Sequence, residues 1–318
     1  MSDSSRIGGH SSTSLSQHLP ISASTAQHMN TVLNMADICR RTAVERPYFA
    51  FGDLSIDING TVVGEVQREH PLSHEYGPLG AAEIGRHLAI LGSCAAAATV
   101  DNDDRLYYLA THAEFRRSGF AQSNFPDGEK YRASATVVER TARMLFARTT
   151  MQVGENAPFV SLLVQYKILS EPLFARLFSH FAVAEDHTGI ESPYTNPISL
   201  SWSAPNGNSL VARSHGLTPY QCAGHFRGYP AWPVAIIAAC MLRTVERMLH
   251  HVLQSPVQWI MDSGSLDALE LIPAAAPVVF STAYNGIADE QRYRFTCDAY
   301  VDEKLCARMV TVISTPAK

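Results

Sequence analysis

Apolar residues recur at helical spacing in two long stretches of this chain. Over 234–253 they fall at Ile236, Ile237, Cys240, Met241, Val245, Met248, Leu249 and Val252, which is the period of a helix. The early turns are apolar on most sides, so this helix is expected to be wrapped by other structure. Over 79–98, Ile84, Leu88, Leu91 and Ala95 repeat the pattern, and Gly85, Gly92 and the alanines at 95–98 keep its surface slim. A shorter helix is expected over 30–46, with Val32, Leu33, Met35, Ala36 and Ile38 on its apolar side.

Strand-like alternation fills most of the remainder. The runs 49–58 and 61–67 are joined at Asn59-Gly60, a dipeptide suited to a tight hairpin because both residues tolerate positive φ. Further strands are expected at 106–115, 131–139, 143–153 and 158–168, then at 258–262, 267–271, 278–287, 291–301 and 304–314. The plan of strands, helix and strands therefore occurs twice, over 29–170 and 199–318, and each half has ordinary domain size. The repeat is one of plan, with no visible identity between the copies. A connector, 171–198, opens with Glu171-Pro172, carries Phe174, Phe178 and Phe181, and closes with Pro193 and Pro197. Residues 1–28 are rich in Ser, Thr and His and read as a disordered tail. Its His10, His18 and His28 are scattered through polar sequence, so they are read as solvated and not as metal ligands.

Composition narrows the classes. Apolar residues make up 46% of the 318 and charged residues 17%, enough for substantial cores, and the net charge of −5 gives no basic footprint for nucleic acid. No apolar run reaches the ~20 residues needed to span a bilayer. The N-terminus lacks the basic start and apolar core of a secretory signal. The six cysteines include no Cys-x-x-Cys pair, and Cys94 and Cys240 lie in apolar helices, where a thiol acts as a small hydrophobe. The expectation is a reducing, cytoplasmic setting without structural disulfides, and neither a cofactor nor a metal.

The candidate chemistry sits just before the second long helix. There the chain reads Cys222-Ala-Gly-His225-Phe226-Arg-Gly228-Tyr-Pro230-Ala-Trp-Pro233. A titratable ring on a bent, rigid loop at the mouth of a buried helix is well placed for proton transfer. The pattern His-Phe-x-Gly-x-Pro-x-x-Pro ahead of such a helix resembles the active-site segment of the β-hydroxyacyl thioester dehydratases of the hot-dog fold. The Gly-Pro-Leu-Gly of 77–80, its helix, and Leu-Ala-Thr-His-Ala-Glu-Phe at 109–115 resemble the helix and following strand of the decanoyl-type members.

That resemblance implies an α+β fold, a double hot-dog, in which two curved antiparallel sheets each wrap a central helix and pack as an internal pseudo-dimer. In the family, each site takes a histidine from one unit and a carboxylate from the other. Here the second helix has Ala239 at the carboxylate position, and Glu83 falls at or within one position of it in the first. The first loop holds His70 and His74 but lacks the Phe-x-Gly-x-Pro continuation. The two losses are complementary, and one composite site is expected, His225 with Glu83. His225 would take the proton beside the carbonyl of a 3-hydroxyacyl thioester. Glu83, kept protonated by burial, would donate to the departing hydroxyl.

Gly77, Leu79, Gly80, His87, Phe226, Gly228, Pro230 and Val234 are expected around the substrate, with amides near Val234 and Leu79–Gly80 holding the thioester oxygen. His87 is expected either against Glu83 or on the helix surface. Arg86 and Arg243 are read as occupying like places in the two helices, and His250-His251 as interacting with the second helix's last carbonyls. The implied substrate is an acyl thioester carried by acyl carrier protein or coenzyme A, in specialised lipid or polyketide metabolism. The implied assembly is a monomer or a homodimer. Three other readings stand beside this one, one of them a specialised acyl-condensing or cyclising enzyme of the same fold. A thioesterase of the same fold would use Glu83 to activate water and His225 to bind or polarise. A non-catalytic partner would only hold an acyl group or dock its carrier.

Overall fold

A computed structural model describes residues 30–100, 103–118, 129–154, 156–183 and 193–316; the expected tail lies outside them. The chain begins with β1 (Thr31–Val32), α1 (Met35–Thr42), β2 (Leu54–Ile56) and β3 (Val62–Val66). The first long helix, α2 (Ala81–Ala98), is followed by β4 (Leu106–Arg117), β5 (Tyr131–Arg140), β6 (Met144–Val153) and β7 (Val160–Ser170). The connector contributes α3 (Glu171–Leu177), and β8 (Ser201–Trp202) and β9 (Ser209–Ser214) lead to the second long helix, α4 (Val234–Val252). The chain ends with β10 (Ile260–Ala268), β11 (Val278–Asp289), β12 (Arg292–Val301) and β13 (Lys304–Ser314).

The thirteen strands of the described residues form one antiparallel sheet in the order β1-β2-β3-β5-β6-β7-β4-β10-β13-β12-β11-β9-β8. Its centre is the β4–β10 pair, in register Ser265↔Glu114. Outward from that seam the order is the same on both sides: β4-β7-β6-β5-β3 on one, β10-β13-β12-β11-β9 on the other. Each half wraps its own helix. α2 packs on β3, β5, β6 and β7, α4 packs on β9, β11, β12 and β13, and the two helices touch each other. This is the expected double hot-dog. Strand alternation builds the core: Val160, Leu162, Val164, Tyr166 and Ile168 of β7 all point inward and are buried, as the period of two requires.

Three expectations change in detail. The first helix is shorter than 30–46, because Thr31 and Val32 pair with β2 and Asn34 caps α1 by accepting from the Asp37 amide at 3.2 Å. Phe49 and Phe51 are buried, but the chain there is irregular, so β2 starts only at Leu54. The two strands expected at 258–262 and 267–271 are one, β10, with a bulge between Met261 and Ser263. Its centre, Asp262-Ser263-Gly264-Ser265, shows no apolar alternation because it lies in the seam between β4 and β13. A Cβ on Gly264 would sit 2.7 Å from the Val310 carbonyl oxygen, so the close strand approach there needs glycine. The Asn59-Gly60 hairpin is present, with Gly60 at φ +79° and the Asp57 carboxylate accepting from the Asn59 and Thr61 amides.

The slim face of α2 is used where it meets the sheet. A Cβ on Gly92 would collide with the Tyr166 hydroxyl and lie 3.0 Å from Ala147 Cβ. That hydroxyl donates to the Ala89 carbonyl at 2.6 Å. Gly92→Ala gains about 1 kcal/mol in helix propensity but overpacks a buried contact, at about 1–3 kcal/mol. The expected net result is a lower thermal midpoint. A raised midpoint would mean that Tyr166 swings aside freely.

Candidate functional site

His225 is held from both halves. Gly224, at φ +80°, carries the chain so close to residues 45–48 that a Cβ would strike the Glu45 carbonyl oxygen. The Gly224 carbonyl accepts from the Glu45 amide at 2.9 Å, and the Tyr194 hydroxyl donates to the Ala223 carbonyl at 2.7 Å. The imidazole stands edge-on to Tyr48, with ring centroids 4.9 Å apart, and leans on Phe226 at 4.0 Å. It is 9% exposed, and its Nδ1 has no hydrogen-bond partner. Burial pushes its pKa down to about 3, against a weaker upward pull from the Ala231 backbone. The ring is therefore a neutral imidazole at physiological pH.

The connector aromatics reinforce this loop. Phe174 stacks on Tyr107 with centroids 3.7 Å apart and meets Phe226 and Tyr229 edge-on, both at 5.3 Å. The Gly228 carbonyl accepts from the Val183 amide, and the Pro230 carbonyl from the Ala274 amide. Gly228 and Pro230 thus shape the loop, whereas His225, Phe226 and Val234 face a cavity of about 300 Å³. From α2 that cavity receives Ala82, Gly85, Arg86, Ala89 and Ser93. Its walls are mainly apolar, including Ile90, Leu162, Val164, Ile237 and Leu242. Among the described residues, its one carboxylate is that of Glu270, exposed and paired with Lys304. The first two amides of α4, at Val234 and Ala235, have no intrahelical acceptor, whereas those of Ile236 and Ile237 donate to the carbonyl of the N-cap Pro233.

Arg86 is the charged side chain of α2 that reaches this space. It is 2% exposed, its guanidinium lies 5.2 Å from the Tyr194 ring centre and 5.8 Å from that of Tyr48, and one arm pairs with Glu69. Its Nε and Nη1 are buried without hydrogen-bond partners. Burial lowers its pKa to about 10, so it stays a cation at neutral pH.

Glu83 lies elsewhere. It is 3% exposed and lines a second cavity, of about 480 Å³, on the other side of the helix seam. Its carboxyl accepts from the Glu69 amide at 2.6 Å and the His70 amide at 3.4 Å. Burial raises its pKa to about 8, opposed by the His70 amide. His87 is fully buried beside it, 3.6 Å from Oε1, and packs edge-on to Phe51. It is thus not a surface residue, and it lines neither cavity. Gly80 lines the second cavity with Glu83, while Leu79 is wholly buried. Gly77, at φ +130°, shapes the preceding bend. Ala82, Arg86, Ala235 and Leu242 line both cavities and form the wall between them.

The helix N-caps set the register between the halves. Gly80 caps α2 and Pro233 caps α4. Ser73 and Phe226, each seven positions before its cap, share the same positive φ, +53° and +56°. Leu72 therefore matches His225, and Arg86 matches Ala239, not Arg243. The charged side chain that α2 offers to the His225 cavity is a cation, where the dehydratase resemblance implied an acid. The opposite loop differs as well. Glu75 reaches the start of α2, where its carboxylate accepts from the Ala81 amide at 2.7 Å. It is a second acid of this region, half-buried, its pKa raised by desolvation to about 7.

No family model and no curated protein matches this chain. Solved structures do. The tesB protein of Mycobacterium avium subs paratuberculosis aligns over 89% of this chain and all of its own, at 7% identity and TM-score 0.54. A hot-dog protein of unknown function from Alicyclobacillus acidocaldarius aligns over 86% of this chain and all of its own, at 14% identity and TM-score 0.50. The acyl-CoA thioesterase TesB2 of Mycobacterium marinum aligns over 84% of this chain and 95% of its own, at 11% identity and TM-score 0.48. This chain has the hot-dog fold. At such identities the likeness reaches the fold and no further. Among the described residues, no helix is long and apolar enough to cross a membrane.

The raised pKa of Glu83 has a signed consequence. Its folded-state pKa of about 8 lies above the ordinary 4.5, so the folded protein binds the proton more tightly, and stability falls as pH rises across that window. Glu83→Gln removes this dependence. The unfolding free energy of the variant minus that of the wild type is expected to climb between about pH 4.5 and pH 8 in denaturant titrations. A difference that stays flat would mean that the carboxylate is ionised in the folded state.

Proposed function

We propose that this protein hydrolyses acyl thioesters, with the acyl chain in the first cavity and the thioester carbonyl at its head, between His225 and Arg86. The observation that carries this reading is the pairing of a neutral, buried imidazole with a cation, and not with a carboxylic acid, across a mainly apolar cavity. Dehydration of a 3-hydroxyacyl thioester requires an acid to protonate the departing hydroxyl. Arg86, with a pKa of about 10, is a poor proton donor, and Glu83 faces the second cavity. Hydrolysis has no such requirement.

In the proposed reaction the imidazole takes a proton from water as the water oxygen attacks the thioester carbon. The oxyanion that forms is stabilised by Arg86 and the first amides of α4, which lie at the positive end of the helix dipole. Collapse of the tetrahedral intermediate breaks the carbon–sulfur bond, and the thiolate recovers the proton from the imidazolium. The carrier is coenzyme A or an acyl carrier protein. The second cavity is assigned no hydrolytic role. It has Leu72 in place of the histidine, and Glu75 fills the helix start where an oxyanion would lie. The site needs both halves, 29–170 and 199–318, so the pair acts as one catalytic unit.

Release of free thiol from saturated acyl-CoA, followed with a thiol reagent, tests this reading. His225→Ala and Arg86→Ala are each expected to lower kcat by about 10²-fold or more, and Glu83→Gln to leave it within a few-fold. Conversion of 3-hydroxyacyl-CoA to the enoyl product without thiol release would overturn it in favour of dehydration. Loss of hydrolysis in Glu83→Gln would move the base to the second cavity.

A further inference from the structure

At the outer end of the second cavity three side chains from the two halves converge. Glu246 and His250 lie one turn apart on α4, and His74 comes from the loop before α2. His74 Nδ1 is 2.7 Å from Glu246 Oε1, the Ser73 hydroxyl is 3.4 Å from the same oxygen, and the His74 and His250 rings have centroids 4.7 Å apart. One ligand atom from each of His74, Glu246 and His250 lies within 4.8 Å of the others. We propose that His74, Glu246 and His250 form a binding site for a zinc-class divalent ion, with an open fourth position toward the second cavity.

The donor set of two imidazoles and a carboxylate is one that zinc accepts, and three protein ligands with one open position is a recurrent zinc geometry. Zinc bonds of about 2.0–2.2 Å put tetrahedral donor atoms roughly 3.4 Å apart. The present spread brackets that value, and the ion would sit between His74 Nδ1 and Glu246 Oε1, which now lie 2.7 Å apart. The second observation is the orientation of His250. Its Nε2 lies 3.1 Å from the Val257 carbonyl oxygen. A carbonyl there fixes the proton on Nε2 and leaves Nδ1 as a lone-pair donor, which is how outer partners orient metal-binding histidines. It also corrects the sequence expectation for His250, whose acceptor lies beyond the helix and not among its last carbonyls.

The backbone around the site is fastened down. The His74 carbonyl accepts from the Trp259 amide at 3.0 Å, and the Tyr76 amide donates back to the Trp259 carbonyl at 2.9 Å. Glu246 and His250 both line the second cavity, so a water or ligand atom can complete the coordination. The ion would tie a loop of the first half to the helix of the second.

Full-length protein titrated with Zn²⁺ by calorimetry is expected to bind one equivalent at this site, with a raised thermal midpoint. Co²⁺ is expected to give the visible absorption of tetrahedral coordination. His250→Ala and Glu246→Gln should each abolish both signals, while a variant with His10, His18 and His28 changed to alanine retains them. Glu246→Gln conserves shape. Its metal-free thermal midpoint, compared with that of the metal-free wild type, separates loss of the site from misfolding. Absence of stoichiometric binding in the wild type would overturn the proposal. So would binding unchanged in His250→Ala, or binding lost only with the three N-terminal histidines.

Discussion

Everything in this molecule depends on how closely α2 and α4 run past each other at the seam of the sheet. The β4–β10 ladder joins the halves edge to edge, and a continuous sheet forces the two wrapped helices together. Small residues line the cavity beside that contact: Ala82 and Gly85 on one helix, Ala235 and Ala238 on the other. Larger residues there would fill the two cavities that flank the contact. Because those cavities are related by the pseudo-symmetry of the fold, each is built from one half's loop and the other half's helix. A chain that contains both copies is then free to let them diverge.

The divergence is chemical and follows burial. On one side a neutral imidazole faces a guanidinium. On the other, Glu75, Glu83 and His70 crowd together, each with its charged form disfavoured by desolvation. A buried charge is tolerated only when paired or hydrogen-bonded. Arg86 meets this requirement in part, through Glu69 on one arm and the faces of two tyrosines. Its other nitrogens lack protein partners, a costly arrangement unless something that enters the cavity accepts from them.

Much of the architecture was legible because it rests on periodicity. The two long helices, the Asn59-Gly60 hairpin and most strands follow from apolar spacing alone. The His225 loop follows from its motif. Arg86 was harder to read. Residue type alone pairs it with Arg243, and only the N-caps at Gly80 and Pro233 show that its counterpart is Ala239. Glu83 was correctly expected to be buried with a raised pKa, but the amides of Glu69 and His70 that turn it away from His225 leave no trace in residue types. The zinc-class cluster was equally hidden. Only the one-turn spacing of Glu246 and His250 is local, and His74 lies 172 residues from Glu246.

Replacing an acid by arginine at the head of such a cavity changes which transition state the fold can favour. A carboxylic acid serves reactions in which a poor leaving group must be protonated as it departs. A guanidinium supplies a fixed positive charge and directed N–H donors, which favour negative charge developing on a carbonyl oxygen. A thiolate leaves readily without prior protonation, so hydrolysis gains from the cation and loses little with the acid. The same backbone frame can therefore pass from elimination to acyl transfer through a single position on α2, provided that the histidine stays neutral and the wall between the cavities stays thin.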